Sequence, residues 1–276
     1  MAGTLFLVPT PIGNLGDISE RARETLASAD FIAAEDTRVS LKLLNHLGIK
    51  KQLVSYHEHN RAESGPRILD RLQAGESCAL VTDAGSPAIS DPGEDLVALC
   101  AAAGVTVSAV PGPCAAVTAL SMSGLPTGRF TFEGFLSTSK KSRSEHLLSL
   151  AGERRTMIFY EAPHKLQNTL RDLAAAFGGG RRIALCRELT KLHEEVLRTT
   201  LSGAVAYYEA QAPRGEYVLI LEGAPEPAEP EVTLDAALAR VAELQKKGLT
   251  RKDAVKQAAK ELGFPKNALY SASLSE

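Results

Sequence analysis

Five short apolar runs separated by stretches of helical periodicity constrain this chain more than any other feature. Thr4–Val8, Phe31–Ala34, Leu53–Tyr56, Ala79–Thr82 and Val105–Val110 are too short for buried helices and too continuous for a sheet with one wet face. Between them, Ser19 opens a segment with Ala22, Leu26 and Ala29 at helical spacing. Leu41, Leu44 and Leu47 precede a Gly48 stop, and residues 65–73 and 94–103 read as two further helices. This alternation predicts an α/β fold with a mostly parallel sheet and helices on both faces. Such sheets bind ligands outside the carboxyl ends of their strands, so the residues that end each run are the ones to examine.

Three of those ends are built from Gly, Pro, Ser and Asp: VPTPIGN (8–14), TDAGSPAISDPG (82–93) and VPGPCAA (110–116). Glycine lets a backbone or ligand come close, and Pro, Ser and Asp order the chain around it. Each loop alone is either a tight turn or part of a cradle; three at one sheet edge favour the cradle. Neither GxGxxG after a strand nor GxxxxGK[ST] occurs, so the familiar dinucleotide and nucleoside triphosphate cradles are unsupported.

The second half repeats the class with different spacing. A small-residue helix, Cys114–Met122, runs into breakers at residues 124–128. Strands are expected at 129–136, 156–160, 183–187 and 217–222, with helices near 143–150, 166–177 and 202–210. Pro225, Pro227 and Pro230 then forbid helix in an acidic stretch. Beyond it, Leu234, Leu238, Val241 and Leu244 mark one helix. Thr250 to Asp253 resembles a capping box for a second, and Pro265 opens a third. The expected organisation is an N-terminal α/β domain (1–124), a second α/β domain (125–223), a Pro/Glu linker (224–231) and a small helical module (232–276). With 276 residues, 44% of them hydrophobic, the chain can supply more than one core.

Charge and cysteine usage narrow the class. The net charge of -2 gives no global sign of nucleic acid, but the last module carries eight Lys/Arg against five Asp/Glu. The four cysteines lack CxxC spacing, which points to structural thiols and no metal site. No apolar stretch reaches the roughly 18 residues of a membrane span, and no basic-then-apolar leader opens the chain, so a cytoplasmic protein without a membrane partner is expected.

Taken in order, VPTPIGNLGDIS, AEDTR, SYHEHN, TDAGSPAISDPG, VPGPCAA, EGFL, YEAPH, CRELTKLHEE and RGEYVL resemble the tetrapyrrole methylase superfamily, from about Thr4 to Glu222. Within it, the chain is most similar to the branch that methylates the ribose 2'-hydroxyl of a cytidine in 16S rRNA. The resemblance implies a two-domain class III methyltransferase fold, a homodimer, and S-adenosyl-L-methionine folded in the cleft between domains. Its contacts would come from Pro11; from Asp83, Gly85, Ser86, Pro87, Ile89 and Ser90; from Pro111, Gly112 and Ala115; and from Tyr160, Glu161, Leu189 and Gly215. Where many relatives carry Gly-Asp-Pro, this chain has Asp83-Ala84-Gly85-Ser86-Pro87.

Methylating a hydroxyl needs alignment with the donor and removal of a proton. Glu35, Asp36 and Arg38 lie at a strand end on the loop edge: a carboxylate there could take the proton and the guanidinium fix a phosphate, although an Asp36–Arg38 salt bridge accounts for that pair equally well. Lys191 is the fourth catalytic candidate, because a lysine beside apolar surface can lose its proton. His57 and His59 flank Glu58 in either an RNA-binding turn or a solvated one. His164, Lys140, Lys141, Arg143, Arg251 and Lys252 complete the expected contacts to 16S rRNA of the small ribosomal subunit. The alternatives are a tetrapyrrole (precorrin-type) methyltransferase, disfavoured by the basic tail and AEDTR, and a non-catalytic RNA-binding ribosome-assembly factor, disfavoured by the intact loops.

Overall fold

The β/α alternation appears in a computed structural model that describes residues 2–226 and 233–274. Five strands, β1 (Thr4–Leu7), β2 (Phe31–Ala34), β3 (Gln52–Ser55), β4 (Cys78–Val81) and β5 (Thr106–Ala109), form one sheet in the order β3-β2-β4-β1-β5. Every pairing in it is parallel. The helices between them are α1 (Glu20–Ser28), α2 (Thr37–His46), α3 (Arg61–Gln73) and α4 (Glu94–Ala102). Ser19 caps α1 by accepting from the Ala22 amide, as its position before an apolar stripe predicts. Successive strand residues point to opposite faces. Phe31, Ala33, Cys78 and Leu80 share a core with Ile68 and Leu72 of α3 and Leu96 and Cys100 of α4, whereas Ile32, Ala34, Ala79 and Val81 share one with Leu26 of α1 and Leu44 of α2. β2 and β4, buried along their whole length, have no polar positions, which is why they read as continuous apolar runs.

A second five-stranded sheet follows: β6 (Phe130–Phe135), β7 (Thr156–Glu161), β8 (Arg182–Arg187), β9 (Glu195–Thr200) and β10 (Tyr217–Leu221), in the order β6-β7-β10-β8-β9. Only β6 and β7 are parallel. Helices α6 (Lys140–Ser149), α7 (Pro163–Phe177) and α8 (Leu201–Ala210) join one face through Leu147, Leu166, Leu170, Leu173 and Leu201. The other face is covered by α5 (Ala115–Met122), whose Ala116, Ala119 and Leu120 meet Ile158, Ala184, Val218 and Ile220. Because α5 starts directly after the loop that ends β5, it carries that loop against the second sheet. Both sheets belong to one compact unit, residues 1–224.

Residues 225–276 form a second unit. Its helices α9 (Leu234–Lys246), α10 (Arg251–Leu262) and α11 (Lys266–Ala272) enclose their own core of Ala237, Val241, Leu244, Val255, Ala258 and Leu269. Thr233 and Thr250 cap α9 and α10. Pro225 and Glu226 have no regular structure; linker residues 227–231, with Val232 and the last two residues of the expected module, lie outside the described residues. Among the described residues no helix is long and apolar enough to cross a membrane, and no group of three or more His, Cys, Asp or Glu is placed to hold a metal ion.

Candidate active site

The three Gly/Pro loops are tied to one another. Thr10 and Gly85 exchange two backbone hydrogen bonds, at 2.9 and 3.0 Å, and the Thr10 hydroxyl donates to the Thr82 carbonyl at 3.0 Å. Ser86 Oγ then donates to the Pro113 carbonyl at 3.0 Å, locking the loop after β4 to the loop after β5. Gly85 sits at φ +90°, a region an L side chain rarely adopts. Ala88 and Ser90 take φ of 66° and 61° without being glycine, so this loop holds its shape against local steric preference.

These loops form one wall of a cavity of about 550 Å³ whose other wall is the second sheet. From the first sheet come Ile12, Glu35, Asp83, Ser90 and Asp91; from α5, Ala115; from the second sheet and its loops, Phe135, Tyr160, Glu161, His164, Leu189 and Glu216. A smaller recess of about 80 Å³ adjoins it, lined by Gly85, Ser86, Ile89 and Cys114. Five of the lining residues, Glu35, Asp83, Asp91, Glu161 and Glu216, are acidic, and none is Lys or Arg.

Their environments differ. Glu35 Oε2 accepts from the Thr82 hydroxyl at 2.8 Å. Asp91 is pushed up to about 6 by burial and then by the charge of Glu35; Asp83 adds to the rise and Thr82 opposes it. Asp83, accepting from the Asp36 amide at 3.1 Å, is also raised, by burial first. Glu161 is 4% exposed; one oxygen accepts from the Ala162 amide at 2.8 Å and the other from the Thr169 hydroxyl. The Tyr160 hydroxyl, raised to about 12 by burial, accepts from the Ala116 amide at 3.1 Å, fixing the start of α5 to the cavity wall.

Not every residue singled out in the sequence lines the cavity. Asp36 and Arg38 lie beside Glu35 but pair with each other, Arg38 Nη2 to Asp36 Oδ2 at 2.6 Å. That pairing holds the Asp36 carboxyl at about 2 and leaves the Arg38 side chain 87% exposed. Pro11, Pro87, Pro111, Gly112 and Gly215 lie in the bordering loops but line neither the cavity nor the recess; a Cβ on Gly112 would come within 2.8 Å of Pro9, and one on Gly215 within 2.5 Å of Glu188. Lys191 donates to Glu188 at 2.9 Å and to Glu216 at 3.0 Å; burial works to discharge it, but the two carboxylates outweigh burial and its pKa is raised. It is therefore a held cation and not a neutral base. His57 and His59 stand 6.0 Å apart, ring centre to ring centre, and do not line the cavity; the His57 Nδ1 is buried and unpartnered. Lys140 and Arg143 lie on α6 outside the cavity, as does Lys141, 3.9 Å from Glu145. Arg251 and Lys252 are exposed in the first turn of α10. The residues not foreseen are chiefly Asp91, Phe135 and Glu216. Asp91 lies in TDAGSPAISDPG, Phe135 in EGFL and Glu216 in RGEYVL, all stretches that carry the family resemblance, but nothing in their local pattern sets these three apart from their neighbours.

The family described as Tetrapyrrole (Corrin/Porphyrin) Methylases matches residues 4–205. The chain belongs to the tetrapyrrole methylase family. This methylase is 49% identical to a protein named ribosomal RNA small subunit methyltransferase I from Synechocystis sp., over 99% of this chain and 98% of that one. A protein of the same name from Halalkalibacterium halodurans is 48% identical, over 98% and 94%. Among solved structures, cobalt precorrin-4 methyltransferase superposes with a TM-score of 0.59 at 18% identity, covering 79% of this methylase and 94% of that chain, a likeness of fold. The cavity between the two sheets is thus set in a class III methyltransferase fold.

Proposed function

We propose that this protein transfers a methyl group from S-adenosyl-L-methionine to the ribose 2'-hydroxyl of a cytidine in 16S rRNA. The observation that carries the donor is the charge of the cavity: five carboxylates line it, and among the described residues only Glu216 of the five is ion-paired, to Lys191, which suits a ligand bearing a sulfonium and an ammonium group. The tied loops add backbone groups, and the recess at Gly85 leaves room that a side chain would fill. When bound, the donor supplies an electrophilic methyl group; the chain's residues must hold an acceptor oxygen in line with it and take the proton. Glu35 is the base we favour, because it lines the cavity and is oriented by Thr82, whereas Asp36 is already spent on Arg38. Arg38, paired with Asp36 but 87% exposed beside that strand end, would be the contact to a phosphate of the acceptor strand.

The acceptor rests on the names of relatives sharing nearly half of the sequence over almost all of its length. It also rests on the second unit, where Arg251 and Lys252 occupy the first turn of α10, the end at which a helix dipole disfavours cations. Charge kept there against that preference suits contact with RNA phosphates. A cytoplasmic homodimer acting on the small ribosomal subunit completes the reading. The test is methyl transfer from labelled donor to small subunits, to free 16S rRNA and to a tetrapyrrole, followed by nucleoside mapping. Label in a 2'-O-methylcytidine is expected; label in the tetrapyrrole alone would overturn the assignment.

A further inference from the structure

An acidic cavity that accepts a cationic donor repels the phosphates on either side of the nucleotide it must take in, so the RNA strand needs a cationic path outside the cavity. The first unit has such a path. Since β6 and β7 are parallel, α6 and α7 run side by side in the same direction and begin at the strand ends that bear Phe135 and Glu161 of the cavity. Between them lies a groove of about 800 Å³. Its charged lining is Lys140 and Arg143 from α6, with Lys165, Arg171 and the single acid Asp172 from α7.

The partners of these groups sort them by role. Arg143 is 15% exposed; it donates to Asp172 at 2.6 Å and to Thr169 at 2.8 Å, so Asp172 is already neutralised within the groove wall. Arg171 reaches Glu209 at 3.4 Å. Lys140 and Lys165 have no anionic partner among the described residues, and both lie near the helix starts, toward the cavity. Ser137, Thr138 and Asn168 add hydrogen-bonding groups at that end, while Leu147, Ala151 and Ala175 make the far end apolar. No aromatic side chain lines the groove, so it offers contacts to a backbone and no platform for stacked bases.

Groove and cavity share a wall. Thr169 accepts from Arg143 on the groove side and donates to Glu161 on the cavity side, so three hydrogen-bonded side chains separate the two spaces. His164 lines the cavity and its chain neighbour Lys165 the groove.

We infer that the α6–α7 groove holds the phosphodiester backbone of the RNA strand flanking the nucleotide in the cavity, with Lys140 and Lys165 as its phosphate contacts. This rests on the reading of the cavity as an RNA methylation site. Contacts of this kind position a strand without reading its sequence and weaken as salt rises, each by a slope of about 0.7 for single strands.

The experiment uses the full-length protein with Lys140→Glu, Lys165→Glu, the double variant and the Lys140→Arg/Lys165→Arg pair. Binding to a 16S rRNA fragment is measured across salt concentrations, alongside donor affinity by calorimetry. The double Glu variant is expected to bind RNA at least tenfold more weakly at about 0.1 M salt and to lose about 1.4 from the salt slope. Its donor affinity should be unchanged, and the Arg pair should bind RNA like the wild type. RNA affinity and slope unchanged in the double Glu variant would overturn the inference. So would lost methylation of assembled subunits with undiminished binding to free RNA, which would make the occupant a protein. Wild-type protein that binds RNA through these lysines but methylates none would sink the proposed reaction and leave the groove standing.

Discussion

At the scale of the residue, the carboxylates divide the work. Glu35→Gln keeps the shape and removes the base, so turnover should fall by about 10²–10⁴-fold in a single-turnover assay while donor affinity stays within a few-fold. Asp91 tests the other role. Its folded pKa, about 6, lies above that of an unfolded aspartate, so between roughly pH 4 and 6 the folded state binds the extra proton. Stability from this group is accordingly greatest at low pH and is lost as pH rises through 6. Asp91→Asn should therefore raise the melting temperature of the free protein at pH 7.5, lower donor affinity there, and remove a drop in affinity that the wild type shows below pH 6. Equal donor affinity for variant and wild type across pH 5–8 would take Asp91 out of the donor site. Little of this pairing is visible in the sequence: Asp91 reads as any turn aspartate, and Glu35 meets it only because β2 lies against β4.

At the scale of the element, the legible features were those carried by continuous apolar runs or by turn chemistry. All five strands of the first sheet and the three ligand-side loops belong to this group. β9, EVLRTT, was not legible, because an edge strand paired only with β8 needs no apolar run and its residues resemble a charged loop. The crossing of α5 onto the second sheet was hidden for another reason: helix periodicity says that a face is buried, not what buries it. The loop after β4 carries its own prediction. Ala88→Gly relieves a left-handed alanine worth about 1 kcal/mol, so the free protein should melt higher, yet the loop loses its preset shape and donor affinity should fall. Thermal melts and calorimetry check the two halves; tighter donor binding by the variant would mean that the strain does not serve the site.

At the scale of the whole molecule, residues 1–224 and 225–276 each have their own core. Ending the chain after residue 224 should leave the melting transition of the first unit and its donor affinity in place, weaken RNA binding, and flatten its salt dependence. An unchanged salt slope would mean that the second unit does not touch RNA. The strand orders carry a different consequence, for how the chain is made. β1, made before its partners, has β4 and β5 as its only neighbours, and β10, made after its partners, fills the gap between β7 and β8. At roughly 5–20 residues per second of synthesis, β1 waits seconds for its first partner, and the second sheet stays split until β10 has been made. Each sheet is closed by a strand distant in sequence from its neighbours, so the nascent chain must shelter bare strand edges while it grows.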